Sequence, residues 1–158
     1  ITTGGSDEKA ELARRRGADH VILYRSVDFG AEVKRLTNGR GVDVVYDSVG
    51  RDTLARSIRS LRRRGLCVSF GASSGQPEPV ALLDLAEAGS VFLTRPHLAD
   101  YMATSEEIRE RAADLFAAYE SGALEVAIDA EMPLAEANVA HAAIEGRATR
   151  GKMLLKVS

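Results

Sequence analysis

Short apolar runs alternate with amphipathic segments along this chain. The central run, residues 42–50, is β-branched and aromatic and ends in small residues after Asp47. A run of this kind predicts a buried parallel strand that stops at a sharp turn. The remaining apolar runs predict a strand end and turn over residues 1–5 and strands over residues 20–24, 66–70, 90–94, 126–130 and 153–157.

Amphipathic segments lie between these predicted strands. Ser6 is a suitable N-cap for a first helix that ends at residues 14–16, before Gly17. Apolar residues at helical spacing predict further helices over residues 28–37, 52–63, 82–87, 104–119 and 135–145. The long helix begins with the capping box of Thr104 and Glu107. Four of its residues are expected to face inward, namely Ile108, Ala112, Leu115 and Tyr119.

The alternation of strands and helices indicates the fold class. Right-handed crossovers between such elements give a parallel sheet with helices on both faces, so we expect an α/β, doubly wound parallel sheet. In such sheets the ligand crevice lies at the carboxyl ends of the strands. Function is therefore expected along that edge.

Composition narrows the possible classes of protein. The formal charge of −2 over 158 residues gives no case for a nucleic-acid or membrane-surface partner. The basic clusters at residues 14–16 and 62–64 are interpreted as the last turns of helices. The single cysteine, Cys67, lies in an apolar run, which suits a small core residue in a reducing compartment. The three histidines show no metal-ligand spacing.

The first helix begins as an anion-binding arrangement. Gly5 and Ser6 form a turn that opens the helix, and Lys9 follows one turn later. An ordinary capped helix with a surface lysine remains an equal alternative. In dinucleotide-binding sheets, an acidic residue at this place holds the ribose of NAD, whereas NADP sites are neutral or basic there. The pattern Gly-Gly-Ser with Lys9 favours NADP, while Asp7 and Glu8 weaken that interpretation.

Other strand ends offer candidate cofactor contacts. Tyr24 could stack on an adenine or be a half-buried strand residue. Ser48 and Val49 could approach a cofactor or form a plain turn, and residues 71–79 form the best candidate for a mobile ligand loop. Aromatic and small residues after the later strands could wall a flat ring or belong to the core, namely Phe70, Gly71, Phe92 and Leu93. No nucleophile–base pair or Walker sequence is visible.

Together these motifs resemble the cofactor domain of the quinone oxidoreductases, the zeta-crystallin-like branch of the medium-chain dehydrogenase/reductase superfamily. The resemblance covers the whole chain in order. The motifs that match are Gly5-Ser6-x-x-Lys9, Gly17-Ala18-Asp19-His20-Val21-Ile22-x-Tyr24, the run from Gly39 to Gly50, Arg64-Gly65, Ser69-Phe70-Gly71, Thr94-Arg95-Pro96, Ser121-Gly122 and Gly151-Lys152.

The resemblance implies a Rossmann-type domain that uses NADPH for hydride transfer to a quinone or a similar activated carbonyl or alkene, without zinc. It implies that Ser6 and Lys9 hold the 2′-phosphate and that Tyr24 packs on the adenosine. The other cofactor-binding residues that it implies are Gly5, Ser48, Val49, Phe70, Gly71, Ser73, Phe92, Leu93 and Lys152. It also implies a cytoplasmic homodimer, and it identifies no catalytic residue in this chain.

The resemblance extends only to the C-terminal half of the family. The family's GroES-like catalytic domain, first Rossmann strand and glycine-rich loop have no counterpart here, so a strand edge of the buried type is expected to be open. Residues 1–122 correspond to a partial cofactor domain, and residues 123–158 to a segment that returns to the catalytic domain. Two alternatives remain: a non-catalytic NADP-binding sensor or structural module, and an S-adenosylmethionine methyltransferase.

Overall fold

The computed structural model describes residues 1–146 and 148–157 and divides into two compact units, Ile1–Asp100 and Tyr101–Ser158. The first unit contains β1 (Thr2–Gly4), α1 (Asp7–Arg15), β2 (Val21–Leu23), α2 (Phe29–Leu36), β3 (Val42–Asp47), α3 (Leu54–Arg59), β4 (Leu61–Ser69), α4 (Leu82–Glu87) and β5 (Phe92–Thr94). The second contains α5 (Ser105–Glu120), β6 (Ile128–Pro133), α6 (Ala137–Glu145) and β7 (Lys152–Lys156).

The strands of the first unit pair in parallel. β1 pairs with β2, and β3, β4 and β5 form a separate sheet in that order. Parallel strands joined through helices confirm the predicted α/β, Rossmann-like arrangement. The carboxyl ends of β1, β2, β3 and β4 consequently lead into the loops on which the candidate residues lie.

Two apolar clusters form the core of the first unit. One surrounds Leu54, Ile58, Leu61 and Cys67, which are all at most 5% exposed. The other joins Ile22 of β2 to the inner face of α2, on Phe29 and Val33. Val42 packs against both clusters and so connects β3 to each of them. Cys67 is fully buried, as its place in an apolar run predicts.

The prediction of a helix over residues 52–63 is wrong at its end. α3 stops at Arg59, and the cluster Arg62–Arg64 lies in β4 instead of the last turn of a helix. Leu61 pairs with Val42, while Leu66 pairs with Val44, so β4 bulges between these positions. Arg64 lies within the bulge, and its φ of 56° places it in the left-handed region of backbone conformation.

β3 is open along one edge, which corrects the expectation of a fully buried strand. Val44 is 41% and Tyr46 is 74% exposed. No strand of the described chain lies between β1 and β3, and a cavity of about 560 Å³ separates them. The open edge agrees with the expectation that the sheet lacks the first strand of a Rossmann domain.

The second unit consists of the long helix α5 and a βαβ segment. The capping box of Thr104 and Glu107 is formed as predicted, and β6 pairs in parallel with β7. The predicted inward face of α5 is wrong for this chain, because Leu115 is 60% and Tyr119 is 58% exposed. Helical periodicity groups these residues on one face but does not supply a surface to cover them. No described helix is long and apolar enough to cross a membrane.

Candidate functional site

The turn after β3 is held by a buried carboxylate. Asp47 is 4% exposed, and its Oδ1 accepts hydrogen bonds from the backbone N–H groups of Val49 and Gly50, each at 2.9 Å. The hydroxyl of Thr53 donates to the same carboxylate at 2.8 Å, and that of Ser57 donates at 2.7 Å. The carboxylate therefore joins the turn to the start of α3 and fixes how Ser48, which is exposed, is presented.

The surroundings of Asp47 keep it ionised. Burial raises the pKa of this carboxyl group, but hydrogen bonds from Ser57, Gly50, Thr53 and Val49 outweigh that effect and hold its pKa below the usual value. A charged acceptor forms stronger hydrogen bonds than a neutral one. The turn is thus stabilised by the ionised carboxylate of Asp47, which accepts hydrogen bonds from the turn and from the start of α3.

The first part of the loop after β4 is tied to this turn. The N–H groups of Ser73 and Ser74 donate to the carbonyl oxygens of Ser48 and Val49, and the Ser74 hydroxyl also donates to Val49 at 2.7 Å. A β-carbon at Gly71 would lie 2.5 Å from the carbonyl oxygen of Ser48, so the close packing requires glycine. The predicted ligand loop is therefore anchored over residues 71–75.

The start of α1 brings the other candidate residues together. Ser6 is the N-cap, and its Oγ accepts the backbone N–H of Lys9 at 3.4 Å. A β-carbon added at Gly5 would lie 3.3 Å from the Tyr24 hydroxyl and 3.7 Å from Nε of Arg25. The absence of a side chain at Gly5 thus lets the Tyr24 hydroxyl and the Arg25 side chain lie close to the positive end of the helix.

The cavity between β1 and β3 links the two halves of the candidate site. Tyr24, Ser48 and Val49 all line it, together with Asp47. Phe70 is half exposed, and its N–H donates to the carbonyl oxygen of Asp47 at 2.9 Å, so it lies beside the same turn. The structure therefore brings together candidates that the sequence places 24 and 46 residues apart.

Three predicted residues lie elsewhere on the strands. Phe92 and Leu93 belong to β5, where Phe92 is 62% exposed and Leu93 packs against the core. Lys152 begins β7 in the second unit, and its predicted contact with a cofactor stays a prediction.

Sequence reasoning missed the polar residues that support the site. Thr53 and Ser57 lie four residues apart, on one face of the turn that starts α3, and both point to Asp47. That spacing after a strand-end aspartate was the available signal. Ser74 is 8% exposed, and nothing in the sequence beyond its place in a Gly/Ser-rich loop indicates that it is buried.

Cys67 is the one cysteine of the chain and lies in the core. Burial, with a smaller contribution from the charge of Asp47, raises the pKa of the Cys67 thiol to about 11, which suits a core residue rather than a nucleophile. No cluster of three histidine, cysteine, aspartate or glutamate side chains suited to a metal ion occurs among the residues that the structure describes.

Comparisons with known proteins agree with this geometry. A family model described as zinc-binding dehydrogenase matches residues 16–155. Quinone oxidoreductase 1 of Escherichia coli is 46% identical over 157 residues, and 2-haloacrylate reductase of a Burkholderia species is 44% identical over 156 residues. Each alignment covers 98% of this chain, which spans about half the length of these relatives (48% and 47%).

The solved structures give the same result. The crystal structure of Escherichia coli quinone oxidoreductase complexed with NADPH superposes with a TM-score of 0.92 at 46% identity, covering 98% of this chain and 48% of that one. The match of sequence, fold and motifs runs through both units of the chain. The chain therefore belongs to the zinc-binding dehydrogenase family, and within it resembles the C-terminal, cofactor-binding half of the quinone oxidoreductases.

Proposed function

We propose that this chain is the cofactor-binding part of an NADPH-dependent quinone oxidoreductase. The observation that supports this most directly is the close approach of the Tyr24 hydroxyl and the Arg25 side chain to Gly5, directly before the first turn of α1, which also carries Lys9. Backbone N–H groups at a helix start bind phosphate oxygens, and a glycine lets the ligand approach them. These residues fit the phosphorylated adenosine end of NADPH.

At that end, Ser6 and Lys9 bind the 2′-phosphate and Tyr24 packs on the adenosine. A serine hydroxyl and an ammonium supply donors to a dianion, while no carboxylate occupies the place that would favour the free ribose of NAD. The acidic residues Asp7 and Glu8 follow in the first turn, where the helix dipole stabilises their charges.

At the other end, the turn after β3 and the anchored loop hold the cofactor. Ser48, Val49, Gly71 and Ser73 present backbone and hydroxyl groups to it, and exposed Phe70 and Phe92 with Leu93 wall the ring. When bound, NADPH supplies a hydride from C4 of its nicotinamide to the acceptor, and the protein supplies orientation. Lys152 is included on the resemblance alone. We name no proton donor.

The acceptor is a small quinone or enone. The relative named 2-haloacrylate reductase acts, by its name, on an activated alkene, so this class belongs among the candidates. We further propose a zinc-independent, cytoplasmic homodimer without nucleic-acid or membrane partners, in which residues 1–122 bind the cofactor and residues 123–158 pack on a catalytic domain. These statements rest on the resemblance to the quinone oxidoreductases.

A non-catalytic NADP-binding sensor or structural module is the alternative function. It would retain Ser6, Lys9 and Tyr24, and it needs no proton donor, a role that we assign to none of the described residues at the candidate site. The methyltransferase alternative does not agree with the family to which the chain belongs.

The test is NADPH oxidation by the protein in its full natural length. A simple quinone and a 2-haloacrylate are offered as acceptors, with NADH in parallel and zinc content measured on the same sample. Turnover that prefers NADPH is expected. NADPH binding without turnover on any acceptor would favour the sensor or structural module, and absence of NADPH binding would contradict both proposals.

A further inference from the structure

Arg25 lies beside the start of α1, at the end of the candidate site proposed for the phosphate. Neither its residue type nor its spacing in the sequence indicates that it is a site residue. It follows Tyr24 directly after β2, and its Nε is 3.7 Å from the position of a β-carbon added at Gly5. The β1–β2 register sets Gly4 opposite Leu23, so the two strands end side by side and deliver Gly5 and Arg25 to one place.

The guanidinium of Arg25 is not paired with another side chain of the described first unit. Its side chain is exposed, and it forms no hydrogen bond or ion pair with another residue in the described part of the chain. By contrast, the guanidinium groups of Arg35, Arg40 and Arg62 are paired with carboxylates. Arg25 therefore keeps its donors available for a ligand.

The charges around the helix start explain why a second cation is needed. The first turn of α1 carries the carboxylates of Asp7 and Glu8, and Lys9 follows with one ammonium. The two carboxylates outnumber the one ammonium, so a further cation nearby favours the binding of a dianion. A guanidinium on the neighbouring strand end offsets them and offers paired N–H donors that match the oxygens of a phosphate group.

We propose that Arg25 binds the 2′-phosphate of NADPH and is a specificity-determining residue for NADPH over NADH. The inference rests on the proposed function, because it requires that the nucleotide bind at the start of α1, beside Gly5. The contact is made only by the 2′-phosphate, so its loss weakens NADPH binding and leaves NADH binding unchanged.

The experiment measures dissociation constants of the full-length protein for NADPH and NADH. Adenosine 2′,5′-bisphosphate and AMP serve as shorter probes of the same end. The variants are Arg25→Gln and Arg25→Lys. Arg59→Gln is the matched control, since Arg59 is also exposed and has no partner among the described residues. Circular dichroism checks that each variant is folded.

Arg25→Gln is expected to weaken NADPH and adenosine 2′,5′-bisphosphate by about 10- to 100-fold, as loss of a charge-assisted contact does. Arg25→Lys should fall between this variant and the wild type, and Arg59→Gln should match the wild type. Equal weakening of NADPH and NADH, or no weakening, overturns the role of Arg25. A wild-type protein without preference for NADPH overturns the proposed function as well, and is seen before any variant is made.

Discussion

Lys9 gives a single-residue test of the proposed cofactor. Its backbone N–H is bound by the N-cap Ser6, so the Lys9→Ala variant should keep the helix start while it removes the side-chain ammonium group. We expect NADPH binding to weaken by about 1–3 kcal/mol, because one charge-assisted hydrogen bond is lost. Isothermal titration calorimetry with NADH provides the control, and equal losses for both nucleotides would remove Lys9 from the 2′-phosphate site.

Asp47 is expected to be the most sensitive polar residue for stability. The Asp47→Asn variant replaces one charged acceptor oxygen with an NH₂ group that faces the hydroxyls and N–H groups around it. We expect the free energy of unfolding to fall by about 2–3 kcal/mol, since buried donors lose a charged partner. Urea denaturation measures this. Asp19→Asn, at an exposed position, is the control and should change stability little.

The contribution of Asp47 should also depend on pH in a defined direction. The pKa of its carboxyl group is lower in the folded protein than its ordinary value of 3.8, which approximates the unfolded chain. Its stabilisation is therefore complete above that value and is lost as pH falls through the folded pKa. The difference in unfolding free energy between the wild type and Asp47→Asn should be constant near neutral pH and shrink in acid. A difference that grows in acid would contradict this assignment.

Cys67 is expected to be unreactive in the folded protein. Its thiol is fully buried, and its pKa is raised to about 11, so it is protonated at neutral pH. Reaction with a disulfide reagent such as Ellman's should be slow in native buffer and fast in guanidinium chloride. Fast reaction of the native protein would show that the core around β4 opens readily.

The residue-scale comparison shows what sequence can and cannot provide. Cys67 and Ser6 were predicted because one lies in an apolar run and the other precedes a helix with an acidic first turn. The role of Asp47 was not predicted, because its donors come from the turn and from α3, and their convergence depends on how that helix starts. The proximity of Arg25 to Gly5 was not predicted for the same reason, since Gly5 lies in the turn after another strand.

At the scale of elements, the turn between α2 and β3 depends on two glycines with different surroundings. Gly39 and Gly41 both have positive φ, at 81° and 85°. A β-carbon at Gly39 would meet nothing within 4 Å, whereas one at Gly41 would lie 2.7 Å from backbone atoms of Ser60 and Leu61. Only the second glycine is therefore required for packing as well as for backbone conformation.

This difference predicts unequal effects of two matched variants. Gly39→Ala should destabilise the protein by about 1–2 kcal/mol, the cost of a left-handed alanine. Gly41→Ala should add about 1–3 kcal/mol, because the start of β4 must shift to make room. Thermal and urea denaturation of both variants measure the difference. Equal effects would show that the start of β4 adjusts without cost.

The boundary between α3 and β4 marks the limit of prediction for elements. Leu54, Ile58 and Leu61 have helical spacing, and all three are buried, yet Leu61 belongs to the strand. The spacing of apolar residues indicates which side chains are buried, but it does not determine whether the backbone at each of them is helix or strand. β4 begins at Leu61, directly after the C-cap Ser60, and the bulge and left-handed Arg64 that follow have no signal in local composition.

At the scale of the whole molecule, the unpaired edge of β3 is the dominant feature of the first unit. The fold class followed from the alternation of strands and helices, because parallel sheets require such connections. The exposure of Val44 and Tyr46 could not follow from their own apolar run, which is typical of a strand covered on both sides. The expectation of a further strand beside β3 came only from the resemblance to the quinone oxidoreductases.

An open, apolar strand edge should make the 158-residue chain associate when it is produced alone. Tyr46→Lys places a charge on that edge and should shift the chain toward monomer. Val27→Lys, at another exposed apolar position, is the control and should leave association unchanged. Sedimentation velocity over a range of concentrations measures both.

The open cavity beside β3 also leads to a prediction about activity. Because the crevice is bordered by the open cavity between β1 and β3, the chain alone should show little NADPH oxidation compared with the full-length protein. If the chain is monomeric and as active as the full-length protein, then its cofactor site is complete without any neighbour to β3, and the view that an additional strand belongs in that cavity fails. If the chain associates and is inactive while the full-length protein is active, the result supports the view that further structure in this cavity completes the cofactor site.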